Sequence, residues 1–447
     1  MNENGSYTDV TNADRFVRDQ QKVLRYCKGN GQWLFWAGDR WRWDDADIVL
    51  GLGQDTVRSM LMEAMTIKDD YRRKEYETHA VRSEGRARID AMLYLARPHL
   101  AVRPEDLDGN PGLFNCANGT LNLETCELGP HDASHLITKI SPIAYQRTAP
   151  CNHWLAFLSD ITKGNQVLID YLQRTIGYSM TGDTLEHCLF MLYGSGLNGK
   201  STFVEAVRNV LGDYARTADF GTFMQQKASS APRNDLAMLR GARFVTATES
   251  DDGKHMAEAF IKSCTGGDTV TARFLYGEHF EFKPQFKLWL STNHKPKVQG
   301  VDEGIWRRIK LVPFSVRIPD DKIDRQLPDK LKDEAPGILR WAIDGLKQYR
   351  TQGLNDPPAV RDATLEYRAD EDVLGRFLAA SCSLGDSLQI QGRKLYTSFK
   401  DWAASYGESV IDEKKFAKCL ADRGLRKMKT KVGNFWVGIA LADPSQG

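Results

Sequence analysis

The segment Cys188-Leu189-Phe190-Met191-Leu192-Tyr193-Gly194-Ser195-Gly196-Leu197-Asn198-Gly199-Lys200-Ser201-Thr202 constrains the architecture more than any other. Residues 188–193 are a short, almost wholly apolar run of the kind that a strand buried on both faces requires. Residues 194–202 fit the pattern G-x-x-x-x-G-K-[ST] without a mismatch. From Ser201 to Leu211, the apolar residues Phe203, Val204, Val207, Val210 and Leu211 share one helical face, and Gly212 stands where a C-terminal cap belongs. Strand, glycine loop and helix together make a phosphate cradle, because small residues let backbone N–H groups wrap an anion at the positive end of a helix. There Lys200 would reach the β- and γ-phosphates of ATP, and Ser201 would hold Mg²⁺.

Downstream, Arg243-Phe244-Val245-Thr246-Ala247-Thr248 reads as a strand closing on Glu249, 49 residues after Lys200. A carboxylate at the end of a buried strand suits the second magnesium-side group of a phosphate-loop ATPase. Ser250 follows in place of a second acid, so Glu249 is the preferred group for activating water and Asp251 the alternative. Residues 255–267 read as a helix, and period-two alternation over 270–284 around Gly277-Glu278 reads as a β-hairpin. Lys287–Thr292 is another buried strand, ending at Asn293. That amide could orient the attacking water, although in isolation it equally suits a turn cap. Trp306-Arg307-Arg308 then sets two guanidiniums ahead of a last strand. Either could stabilise charge on a transferred phosphoryl group or simply form a surface ion pair.

The 447 residues carry 60 Lys and Arg against 59 Asp and Glu, a net charge of +1, so any nucleic-acid binding must be local. Eight scattered cysteines, with no C-x-x-C pair and no His cluster at zinc spacing, read as reduced thiols and exclude a disulfide or zinc framework. The N-terminus is polar, and no apolar run approaches the ~18 residues of a membrane span. The expectation is a cytoplasmic protein with no membrane partner.

At the N-terminal end, residues 12–27 read as a helix, Trp33–Trp43 as a small aromatic hairpin and 54–100 as long helices with charged faces. Residues 110–150 read as short strands and turns, and 154–182 as helical. Gly353-Leu354-Asn355-Asp356-Pro357-Pro358 reads as the clearest linker. Beyond it, helices are expected over 360–381 and 393–424, followed by two strands, Arg426–Val432 and Phe435–Leu441. Residues 391–434 hold eleven Lys and Arg against five Asp and Glu. Helices followed by a basic two-stranded wing point to a winged-helix module contacting phosphates, the alternative being an accessory domain that contacts protein.

In order, GSGLNGKST, RFVTATES, IKSCTGGD, TARFLYGEHFEFKP, KLWLSTNHKP and GIWRRIKLVPF resemble the superfamily 3 helicases, in particular the phage, plasmid and poxvirus primase-helicase branch. The resemblance covers about residues 110–320 and includes the lead-in NGTLNLETCELGPH. It implies an α/β fold: a P-loop, AAA+-like ATPase core over 146–350, an α-rich region over 1–145 and a winged-helix-like DNA-binding domain over 360–447. It implies Lys200 and Ser201 as Walker A groups, Glu249 as the Walker B acid and Asn293 as the polar sensor. Arg307 or Arg308 becomes a finger reaching a neighbouring subunit. The hairpin would line the pore of a hexameric ring, with Lys262, Arg273, His279 and Lys283 as DNA contacts.

The expected activity is therefore ATP-dependent unwinding of single-stranded or forked DNA in phage- or plasmid-type replication, with ATP and Mg²⁺ as cofactors. Residues 1–110 show no D-x-D carboxylate pair within a strand, so primase activity is not expected here, and a separate primase or polymerase would supply it. The rival readings are a nucleotide-switched, origin-binding initiator and another phosphate-loop ATPase or kinase.

Overall fold

The computed structural model describes residues 7–225, 234–249, 253–273, 279–298, 303–408, 410–431 and 433–442. The chain begins with α1 (Asp9–Gln20), whose N-cap Thr8 exchanges capping hydrogen bonds with Thr11. The helix expected over 12–27 stops at Gln20, and Leu24–Cys27 is a strand, β1. It pairs antiparallel with β2 (Gln32–Trp36), which in turn pairs with β3 (Trp41–Trp43). The correction is tertiary in origin: β1 pairs with β2, while Leu24 packs among the N-terminal helices and Cys27 against Leu34, Trp41 and Val102, partners that helical periodicity cannot register. Then come α2 (Ile48–Ala64), α3 (Asp70–Ser83), α4 (Arg86–Ala96) and β4 (Ala101–Val102), which pairs parallel to β1. Phe16, Val49, Val57 and Met92 form the apolar centre of these helices.

A three-stranded meander follows: β5 (Leu113–Cys116), β6 (Gly119–Asn122) and β7 (Glu127–Gly129). Helices α5 (Asn152–Thr162) and α6 (Gln166–Met180) come next. Phe114 and Leu121 of the meander share one apolar cluster with Trp154, Phe203 and Trp341 from elements farther on. By packing, then, the meander belongs with the central domain, although the sequence reading grouped it with residues 1–145.

The central domain is built on β8 (Leu189–Tyr193), α7 (Lys200–Leu211), β9 (Ala215–Thr217), α8 (Asn234–Ala237), β10 (Phe244–Thr248), α9 (Glu258–Gly266), the hairpin strands β11 (Val270–Arg273) and β12 (His279–Phe282), β13 (Lys287–Thr292), α10 (Glu303–Trp306), β14 (Ile309–Pro313), α11 (Leu327–Asp333) and α12 (Ala335–Gln352). Five strands form a parallel sheet in the order β14-β8-β13-β10-β9. The period of two divides β8 cleanly: Phe190 and Leu192 join the cluster on one face, Leu189 and Met191 the cluster on the other. A strand covered on both faces must be apolar throughout, which is why residues 189–192 show no alternation. Helices α6 and α12 pack closely; a Cβ at Gly177 would lie 2.1 Å from the Leu346 nitrogen, so only glycine permits the approach. Because β8 sits between β13 and β14, its loop emerges at the carboxyl ends of adjacent strands, where open α/β sheets hold ligands.

The stretch 353–358 is no free linker. Leu354 is buried, Arg174 donates to the Leu354 and Asn355 carbonyls, and Asp356 pairs with Lys310. The helix that follows, α13 (Pro358–Glu371), packs onto the sheet edge, with Val360 and Tyr367 entering the two central clusters. The tail domain starts after it: α14 (Val373–Ser381), β15 (Cys382–Gln391), α15 (Gly392–Ser405), α16 (Glu413–Asp422), β16 (Arg426–Thr430) and β17 (Gly433–Leu441). Its sheet, in the order β15-β17-β16, has one strand more than expected, and α15 and α16 are the helices found over 393–424. Among the described residues, no helix is long and apolar enough to cross a membrane.

Candidate nucleotide-binding site

The phosphate loop runs from the end of β8 to the start of α7. Gly196 and Gly199 have φ of 98° and 81°, the left-handed region that glycine enters without steric cost. A Cβ on Gly199 would also lie 2.5 Å from the Ile161 side chain of α5, so that position excludes larger residues twice over. Asn198, itself buried, donates its side-chain amide to the Phe314 carbonyl at 3.1 Å and ties the loop to the end of β14. Helix α7 begins at Lys200 with no side-chain cap on its N-terminus, which leaves first-turn N–H groups for an anion.

A cavity of about 360 Å³ opens over this loop. Its lining comprises residues 196–202, Thr248 at the end of β10 with Glu249 after it, Ser291 of β13 with Asn293 just beyond that strand, and Ile318 and Ile323. Lys200 is only 6% exposed, and burial pushes its ammonium below the ordinary lysine value. It donates to the Gly194 carbonyl at 2.5 Å and to Asn293 Oδ1 at 3.0 Å. The pairing of β10 with β13 sets Thr248 beside Ser291, so the next residues meet: the Thr292 hydroxyl bonds Glu249 Oε2, which also accepts the His294 N–H at 3.1 Å.

The other carboxylate oxygen, Glu249 Oε1, is buried with no hydrogen-bond partner among the described residues. A buried carboxylate oxygen without a partner calls for a cation or a donor. A carboxylate and the Ser201 hydroxyl on the same cavity are the hard oxygen donors that Mg²⁺ takes, so these residues fit the ion.

Lys200, Ser201, Glu249 and Asn293 therefore line one cavity, together with loop residues 196–202. Asp251 lies outside the described residues. Neither Arg307 nor Arg308 lines the cavity. Arg308 is 8% exposed and bonds Thr265 Oγ1 at 3.1 Å and the Gly304 carbonyl, joining α9 to α10; Arg307, its neighbour, is exposed. On the hairpin, Arg273 and His279 face each other on the last described rung below residues 274–278, with Arg273 half-buried and His279 exposed. Lys283 is exposed but follows β12, at the end away from residues 274–278, and Lys262 is half-buried on α9. Sequence reasoning missed Thr292, Ile318 and Ile323. Thr292 was visible beside Asn293, but only the strand register aims it at Glu249, and the isoleucines lie in a stretch with no motif.

Residues 13–163 match the D5 N terminal like family, and residues 192–308 match a family of unknown function (DUF5906). A candidate helicase of Acanthamoeba polyphaga mimivirus is 29% identical over 327 residues, covering 67% of this chain and 34% of the relative. A candidate helicase of Frog virus 3 (isolate Goorha) is 25% identical over 352 residues, 73% of this chain and 34% of the relative. A candidate primase of African swine fever virus (isolate Tick/Malawi/Lil 20-1/1983) is 26% identical over 298 residues, 61% and 31% of the two chains. The chain is thus similar to viral proteins named as helicases and primases. It spans about a third of the length of these curated relatives. The first family match runs from α1 to α5, and the second from the end of β8 to Arg308, taking in the whole 194–202 loop. The fold is similar to the A-form apo structure of the NrS-1 C-terminal region, at a TM-score of 0.53 and 10% identity over 98% of this chain and 100% of that one.

Proposed function

We propose that this chain is an ATP-dependent DNA helicase of the superfamily 3 type, with an AAA+-like core that hydrolyses ATP at the subunit interfaces of a hexameric ring. The observation that carries this reading is one cavity lined by the phosphate loop, by Glu249 with a partnerless buried oxygen, and by Asn293 against Lys200. Lys200 exchanges Asn293 and the Gly194 carbonyl for the nucleotide's phosphates, and the uncapped start of α7 takes the remaining charge. Ser201 and Glu249 would hold Mg²⁺, which when bound would neutralise phosphate charge. Asn293, released from Lys200, is left beside the γ-phosphate position to orient water, and Glu249 accepts a proton from it. Arg307 is exposed and off its own cavity, which favours it over Arg308 as the group that completes a neighbour's site.

The substrate is single-stranded or forked DNA. The hairpin β11–β12, with Arg273 and His279 beside its turn, is the translocating element, and Lys262 and Lys283 are secondary contacts. The basic tail acts as a winged-helix-like DNA-binding domain, and priming is left to a separate primase or polymerase. The test is ATPase and unwinding of a forked duplex by the wild type and Lys200→Ala, with assembly followed by light scattering. The expected result is loss of both activities at unchanged mass. Hydrolysis retained by Lys200→Ala would end the assignment, and ATPase without unwinding by the wild type would favour the nucleotide-switched initiator.

A further inference from the structure

Helix α13 lies outside both family matches, and nothing in the sequence pattern ties it to the nucleotide site. Its last two turns nonetheless hold the loop that carries Asn293. Tyr367, fully buried, donates its hydroxyl to the Pro296 carbonyl. Asp370 pairs with Lys295 at 3.0 Å, while the Lys295 ammonium lies 5.3 Å from the Tyr193 ring and 5.6 Å from the Tyr367 ring. Glu371 Oε2 accepts the Val298 N–H at 3.0 Å. Three side-chain anchors within five residues of α13 thus fix residues 295–298, two positions beyond Asn293.

The same helix braces the segment that carries Arg307. Trp306 meets the Tyr367 ring edge-on at 5.2 Å between centroids, and Arg368 pairs with Glu303 at 2.9 Å. One helix therefore sets two polar groups whose placement decides hydrolysis in the reading above: Asn293 on its own site and Arg307 toward a neighbour. A buried phenol bonded to a carbonyl and a lysine held between two rings and a carboxylate permit little play.

We propose that Tyr367, Asp370 and Glu371 are positioning residues for ATP hydrolysis, holding the 293–298 loop so that Asn293 stands beside Lys200 in a fixed pose. They touch neither nucleotide nor metal and act through Asn293. The inference rests on the ATPase reading. Misplacing a reacting or orienting group by about 1 Å costs up to about 100-fold in rate, whereas nucleotide affinity is set by the phosphate loop, which α13 does not touch.

The experiment uses the full chain, with steady-state ATPase for kcat and KM, equilibrium binding of a fluorescent non-hydrolysable ATP analogue, and thermal melting. Tyr367→Phe and Glu371→Ala are expected to lower kcat about tenfold or more while analogue affinity stays within about twofold. Glu371→Gln, which keeps an acceptor for the Val298 amide, should recover part of what Glu371→Ala loses. In an Asn293→Ala background, Tyr367→Phe should lower kcat no further, because both changes remove the same placement. Lys295→Met tests the same anchor from the loop side, should an α13 variant fail to fold. Wild-type kcat in Tyr367→Phe and Glu371→Ala, or full additivity with Asn293→Ala, would overturn the inference and leave the ATPase reading standing. A wild type that binds the analogue but hydrolyses nothing would overturn both.

Discussion

Replacing Asn293 by aspartate changes one atom of a contact that the structure defines closely, and the consequence follows from charge. Lys200 Nζ lies 3.0 Å from Asn293 Oδ1. Asn293 is exposed and Lys200 buried, so the effective dielectric lies between about 20, typical near a protein surface, and about 80, that of water. At that separation a new unit charge would attract the ammonium by about 1.4 to 5.5 kcal/mol. Because Asn293 faces solvent, the lower half of that range applies, about 1.5 to 3 kcal/mol. Nucleotide binding must break this attraction and also bring phosphates toward the new carboxylate, so both effects weaken ATP binding. The expected outcome is an affinity for a non-hydrolysable ATP analogue reduced about 10- to 150-fold, with the loss shrinking as salt rises. Asn293→Ala, which removes the amide without adding charge, is the control: analogue affinity close to wild type and kcat reduced. Titration of the fluorescent analogue at two ionic strengths measures both. Wild-type affinity in Asn293→Asp would refute the reasoning, since it would mean that Asn293 does not stand against Lys200 before nucleotide binds.

Two further outcomes are expected. Subunits carrying Arg307→Ala, mixed with subunits carrying Lys200→Ala, should regain part of the ATPase that each lacks alone, because an intact Lys200 site can then be completed by an intact Arg307 from its neighbour; a coupled-enzyme ATPase assay across mixing ratios reads this, and a flat response rules out action between subunits. Lys287, fully buried on β13 and bonded to the Thr181, Asp183 and Gln285 carbonyls, has its ammonium pushed down to about 7 by burial. In the unfolded chain it keeps an ordinary value near ~10.4, so from pH 7 upward the unfolded state binds the extra proton and stability from this group rises with pH. Relative to Lys287→Met, the wild type should gain about 2 to 3 kcal/mol between pH 7 and 9 in urea unfolding, and a flat difference would show that Lys287 is not desolvated.

Much of the site was legible because it obeys local rules. The loop Gly194–Thr202 depends on backbone conformations that glycine alone enters freely and on the start of a helix, both properties of a short window. Glu249 and Asn293 were legible for a related reason: each follows a short strand made largely of apolar and small hydroxyl residues, and a large polar side chain is most easily carried where such a buried strand ends. Legibility failed where a residue's neighbour comes from far along the chain. Leu24–Cys27 became a strand because β2 and β4 flank it. Residues 353–358 have a linker's composition but are fastened by Arg174 and Lys310, each remote in sequence. Arg307 and Arg308 are adjacent and chemically identical, and only packing turned one inward to Thr265 and left the other exposed.

What the amino-acid sequence determined by itself was the set of chemical parts and their order: a glycine-rich loop, an acid and an amide, each following a strand, and an arginine pair ahead of the last strand. Tertiary structure decided which of these parts meet. Strand order sets β13 between β8 and β10, so Asn293 reaches Lys200 and Thr292 reaches Glu249, and the packing of α13 against the sheet edge decides what holds that arrangement still. The physical reason is that motif chemistry is written in backbone conformation and residue type within a few positions, whereas a contact across tens or hundreds of residues depends on how the apolar faces of whole elements come to cover one another.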